Sequence, residues 1–199
     1  MLSIATLLPL LVFIVLIGSY IWGRYMFFQI NSNKTKYVAY LYDLVVAVQI
    51  FITFYCFLSF APSELSILKS FELSIGYLTS LSLFWWSIKS SKELSFATGA
   101  GVGNIITQGP FLIVRHPFYL SYIITWITST LVFNLASLWI TLTMLFTFYV
   151  VAAFSEEQQL ERTTLGPSYK KYKNEIGMFL PKATQWKNWF FGLFPIKTK

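Results

Sequence analysis

The chain has 199 residues, of which 56% are hydrophobic and only 12% charged, with a mean hydropathy of +0.61. Soluble domains carry about 25% charged residues, so this composition excludes a soluble domain, a disordered chain and a coiled coil. The net charge of +7 flanks apolar runs instead of forming a basic stripe, which points to membrane topology and away from nucleic acid.

Residues 2–22 carry no charge and lack a basic leader or small-residue cleavage site, so they read as a retained membrane span. A polar connection with Arg24, Lys34 and Lys36 follows, then a second span over 37–60 containing Asp43 and Gln49. Pro62 and the polar stretch 63–70 end it. The third span covers 71–88 and closes on Trp85 and Trp86, whose amphipathic rings suit the headgroup region. A long connection, 89–117, includes the glycine-rich stretch from Gly99 to Gly103. It follows no strand, so flexibility explains it better than a phosphate loop.

Residues 118–154 are 37 uncharged residues, more than one span of about 20 requires. Asn134, Ala136 and Ser137 mark a turn at the middle, and two shortish spans in a helical hairpin are expected. From Ser155 onward the chain is charged and reads as a cytoplasmic C-terminal helical segment. It ends on Trp186, Trp189, Phe190 and Phe191 at the membrane interface. The expected fold is therefore all-α and polytopic, with about five transmembrane helices. With the N-terminus outside, 14 of the 15 Lys and Arg lie on the inner side and only Lys69 outside, as the positive-inside bias requires. The C-terminus is then cytoplasmic, in a bacterial inner membrane or an endoplasmic-reticulum-type membrane. By segment, 1–104 holds the first three spans, 105–181 the core that carries the motifs, and 182–199 an aromatic and basic tail.

One cysteine, Cys56, and one histidine, His116, exclude an intrachain disulfide and leave too few ligands for a zinc site. No metal is expected. Asp43 sits about two turns into its span, within reach of the interface. The run from Tyr169 to Lys173 reads as a solvated helix face near anionic headgroups.

The remaining polar residues fall in two blocks flanking the hairpin. The first holds Gly109, Pro110, Arg115, His116, Pro117, Tyr119 and Tyr122; the second holds Glu156, Glu157, Gly166, Tyr169, Tyr172, Leu180 and Pro181. A hairpin would bring its two ends together. Arginine, histidine and two carboxylates at the mouth of a membrane helix pair could hold a charged cofactor beside lipid.

This pattern resembles the isoprenylcysteine carboxyl methyltransferase family, the integral-membrane S-adenosylmethionine-dependent methyltransferases that include phospholipid methyltransferases. The resemblance covers roughly 105–181. It departs at Gly103, where eukaryotic carboxyl methyltransferases of the family carry a histidine. The interval from Glu157 to Gly166 is a little longer than the family's usual one, and Leu165 stands where a Phe is usual.

The resemblance implies an S-adenosylmethionine-dependent methyltransferase, with a lipophilic small-molecule or lipid-linked acceptor arriving from the bilayer. A carboxylate or thiol acceptor is favoured, prenylcysteine-like or another lipid. It implies catalytic roles for Arg115, His116 and Glu157. Cofactor binding would involve Gly109, Pro110, Arg115, His116, Pro117, Tyr119, Tyr122, Glu156, Glu157 and Tyr169. By the chemistry of S-adenosylmethionine, Arg115 and His116 suit its carboxylate, Glu156 or Glu157 its ammonium or ribose, and the tyrosines its sulfonium. The competing expectations are an NADPH-dependent membrane reductase of sterol type and a non-enzymatic accessory or transport protein.

Overall fold

The computed structural model describes residues 4–27, 36–59, 65–92 and 105–182. The glycine-rich stretch from Gly99 to Gly103 and the aromatic tail at Trp186, Trp189, Phe190 and Phe191 lie outside them. The described residues are helical: α1 (Ile4–Trp22), running on as a π-helical turn (Gly23–Phe27), α2 (Lys36–Ser59), α3 (Ile67–Lys92), a 3-10 turn (Gly109–Leu112), α4 (Pro117–Phe133), α5 (Ala136–Glu161) and α6 (Gly166–Glu175). Among the described residues there is no strand, and Val114 and Gly177 form an isolated parallel bridge.

Among the described residues, three helical stretches are long and apolar enough to cross a membrane: Thr6–Phe27, Tyr37–Ser59 and Ala136–Glu161. The other two expected spans fall on α3 and α4. In α3, seven serines and four charged residues dilute an otherwise apolar helix of 26 residues. The apolar helix α4 has 17 residues. Between α4 and α5 only Asn134 and Leu135 are not helical. Asn134 has φ +50°, the left-handed conformation that Asn adopts at helix ends. Its N–H donates to Thr130 O at 2.9 Å, and its side-chain oxygen accepts from Trp139 Nε1 at 3.0 Å.

The chain packs as two compact units. The first comprises Met1–Ser82 and Ser121–Val150, the second Leu83–Leu120 and Val151–Lys199. The first unit is held by apolar and hydroxyl contacts. Phe13, Phe57, Tyr77 and Phe133 form a chain of rings at 5.1–6.0 Å. Lipid is as apolar as these side chains, so burial alone favours helix association weakly and close packing with interhelical hydrogen bonds matters more. Both are present. Gly76 of α3 lies so close to Thr128 of α4 that a Cβ there would meet the Thr128 hydroxyl at 2.2 Å. Tyr20 OH lies 2.6 Å from Ser80 Oγ and 2.8 Å from Thr125 Oγ1, and Trp126 Nε1 donates to Tyr149 OH at 2.9 Å. Asp43 is paired at 2.7 Å with Arg24 of the π-helical turn.

Candidate active site

In the second unit the site begins with backbone. Pro117 opens α4, where its missing N–H costs nothing, and a proline disfavours helical backbone in the residue before it. Arg115 and His116 therefore reach α4 in a non-helical approach and hydrogen-bond elsewhere. Arg115 N donates to Gly177 O at 2.8 Å and His116 N to Met178 O at 3.2 Å. Gly177 permits this pairing, because a Cβ there would lie 1.8 Å from Leu180 O. Upstream, Gly109 adopts φ +58°, and a Cβ on it would meet Ser90 Oγ at 2.0 Å. Pro110 follows in the 3-10 turn, whose Phe111 carbonyl accepts from Tyr172 OH at 2.6 Å.

On this frame the side chains converge on Glu157. Its side chain is 0% exposed and that of Arg115 6%. Arg115 Nε donates to Glu157 Oε1 at 2.8 Å, and His116 Nε2 lies 3.1 Å from the same oxygen. Lys173 Nζ stands 3.0 Å from Oε2, close as a charge contact although not aligned as a hydrogen bond. It also donates to Glu161 Oε1 at 2.9 Å. A buried carboxylate needs such compensation, since desolvating an unpaired charge is very costly. Arg115 further donates through Nη1 to Ile176 O and, at 3.2 Å, to Lys173 O. Lys182 Nζ donates to Lys173 O and Asn174 O, both at 2.8 Å. Two cations thus cover the carbonyl end of α6, where the helix dipole favours positive charge.

Glu156 is placed differently, with a side chain 52% exposed. It accepts a hydrogen bond from Tyr119 OH and lies 3.6 Å from His116 Nδ1. The His116 and Tyr119 rings stack nearly parallel with centroids 5.6 Å apart, and Phe179 approaches His116 at 6.0 Å.

The run from Tyr169 to Lys173 is not the solvated face that the sequence suggests. Lys170 and Lys171 are exposed, but Tyr169, Tyr172 and Ile176 form a buried cluster against Ile105 and Leu160. Burial, and after it the nearby Glu157 carboxylate, push the Tyr169 phenol well above its ordinary pKa. Lys173 is held above its ordinary value by Glu161 first and then Glu157. Sequence reasoning missed Lys173 as a partner of Glu157. The signal was its spacing: four residues after Tyr169, it shares that residue's helix face.

Of the expected site residues, Gly109, Pro110, Arg115, His116, Pro117, Tyr119, Glu156, Glu157 and Tyr169 lie in this unit. Tyr122 lies in the other, its ring edge-on to Tyr20 at 4.5 Å and 5.7 Å from that of Tyr149. No cluster of three metal-ligating side chains occurs among the described residues.

Apolar helices long enough to span a bilayer, with a dense ion cluster on one carboxylate, define a membrane-embedded helical protein with a polar site. Residues 83–163 match the model of the isoprenylcysteine carboxyl methyltransferase (ICMT) family, the family that the motifs resemble, and this match supports a membrane methyltransferase in general terms. No match was found among curated proteins or among solved structures. The matched segment contains Arg115, His116, Glu156 and Glu157; Tyr169, Lys173 and Gly177 lie beyond it.

Proposed function

We propose that the chain is a five-span integral-membrane methyltransferase, its last two spans a hairpin, using S-adenosylmethionine and a small lipophilic acceptor. The observation that carries this reading is the ion cluster on Glu157, whose Arg115, His116 and Glu157 lie inside the matched segment and whose Lys173 lies beyond it. The donor set fits the cofactor's chemistry. S-adenosylmethionine supplies a methyl group on a sulfonium, and presents an ammonium, a carboxylate and a ribose diol.

Glu156, half exposed and already oriented by Tyr119, would take the ammonium or the diol. The aromatic face of Tyr119 suits a cation. Lys173, whose side chain is 35% exposed, suits the carboxylate. Arg115 and Glu157 are engaged with each other and with α6, so their part is to hold the frame rigid. Rigid positioning is the main contribution that a displacement at carbon needs. A carboxylate or thiolate acceptor needs no general base, and this is the favoured class. An amine or alcohol would need His116 or Glu156, since Glu157 is surrounded by cationic donors.

Ultraviolet cross-linking of methyl-labelled S-adenosylmethionine to the detergent-purified chain, followed by peptide mapping, tests the reading. Label is expected on peptides from 105–122 or 156–182. Label confined to 4–59, or none on folded protein, would overturn it.

A further inference from the structure

We propose that the first unit holds a neutral hydroxyl-bearing guest at Gln49 and Thr53 of α2, a site that stands whether or not the chain transfers methyl groups. Both residues are fully buried. They stand four apart, hence on one face of the helix within a turn of each other. Gln49 Nε2 and Thr53 Oγ1 have no hydrogen-bond partner, and a buried polar group left without one is costly in an apolar bundle.

Thr53, like Ser70 near the start of α3, departs from the usual pattern of hydroxyls in these helices. Ser19, Ser74, Ser87, Ser91, Thr125 and Ser129 each donate to the carbonyl four residues back, the usual way to satisfy a hydroxyl in a membrane helix. Thr53 does not, although the carbonyl of Gln49 is the equivalent acceptor. Gln49 is fixed from the other side, where Thr141 Oγ1 of α5 bonds its amide oxygen. Thr141 also lies 3.0 Å from Ser137 O and 3.2 Å from Leu138 O. If its single proton goes to one of those, the Gln49 amide can turn over and donate to Thr141, leaving its oxygen unpaired instead.

One end of the amide is therefore unsatisfied in either orientation. Across both orientations the site asks for a partner that can accept and donate, and a hydroxyl does both. The nearest ionisable side chains along α2 are the exposed Tyr55 and the buried thiol Cys56, with Asp43, paired with Arg24, further off. No charged guest is called for, so the site takes an alcohol at the head of a lipophilic molecule, or a water.

The experiment is thermal unfolding of the detergent-purified full chain with dodecan-1-ol or, at equal concentration, dodecane. It compares wild type, Thr53→Val, Thr53→Ser and Thr143→Val, the last removing a hydroxyl bonded to its own helix. Binding to the folded state raises the unfolding midpoint. A rise with the alcohol and not the alkane, kept in Thr53→Ser and Thr143→Val and lost in Thr53→Val, supports a lipophilic alcohol. No alcohol effect, with Thr53→Val melting below both wild type and Thr53→Ser, assigns the hydroxyl to water and leaves the site standing. An alcohol effect that survives in Thr53→Val overturns the proposal. So does an absent alcohol effect with Thr53→Val as stable as wild type. If Thr53→Val does not fold, an equal alcohol-specific rise in wild type and Thr53→Ser supports the site, and any other result overturns it.

Discussion

A Glu157→Gln substitution leaves Arg115 and Lys173 facing an amide in place of a carboxylate. Breaking a buried ion pair by removing one partner costs about 3–5 kcal/mol, and Arg115 and Glu157 are buried deeply enough for that range to apply. A clear loss of stability is expected in denaturant or thermal unfolding in detergent. Lys173→Met removes a more exposed partner, for which about 0–1 kcal/mol is typical; a small loss is expected in the same measurement. Tyr172→Phe strips the partner from the buried Phe111 carbonyl and should cost about 1–3 kcal/mol.

Tyr169 gives a pH dependence with a definite sign. Its folded pKa lies above the ordinary 10.0, so its contribution is intact below pH 10.0. It is lost as the pH rises from there toward the folded value, because the unfolded chain ionises first. Tyr169→Phe should flatten the alkaline limb of a stability–pH curve and leave neutral pH little changed. An unchanged alkaline limb would contradict the burial assigned to this phenol.

At the scale of elements, two close approaches depend on glycine. Gly177→Ala forces a Cβ against the Leu180 carbonyl, within backbone that cannot swing aside. The pairing with Arg115 and His116 should be lost, and with it cofactor binding, while helix content by circular dichroism stays nearly constant. Gly76→Ala meets the Thr128 side chain first. It should destabilise the first unit, and Thr128→Ala should partly restore it, a coupling that a double-mutant cycle measures.

The helices themselves were legible in the sequence, because uninterrupted apolar runs and their polar breaks report length directly. The turn at Asn134 was legible for the same reason, and a short polar side chain tolerates φ +50° there. The burial of α6 was not. Its lysines outweigh its tyrosines in any average, and only the spacing of Tyr169, Tyr172 and Ile176 betrays the buried face. Nor could the sequence say how Arg115 is used. An arginine beside a histidine suggests a ligand carboxylate, whereas here the partners are Glu157 and the carbonyls of Lys173 and Ile176, supplied by residues some forty to sixty positions away.

For the whole molecule, the second unit gathers nearly all the motif residues from two separated stretches, Leu83–Leu120 and Val151–Lys199. The family match ends at 163, yet α6 and the 176–178 segment pin Arg115 and His116 in place. On the proposed function, this second unit holds S-adenosylmethionine. Calorimetric titration of the detergent-purified chain with S-adenosylmethionine, beside NADPH and beside Glu156→Gln and Arg115→Ala, tests it most directly. Saturable S-adenosylmethionine binding is expected in wild type, weakened in Glu156→Gln and lost in Arg115→Ala, with no binding of NADPH. A folded wild-type chain that takes up NADPH, or binds neither nucleotide, would contradict a methyltransferase site here.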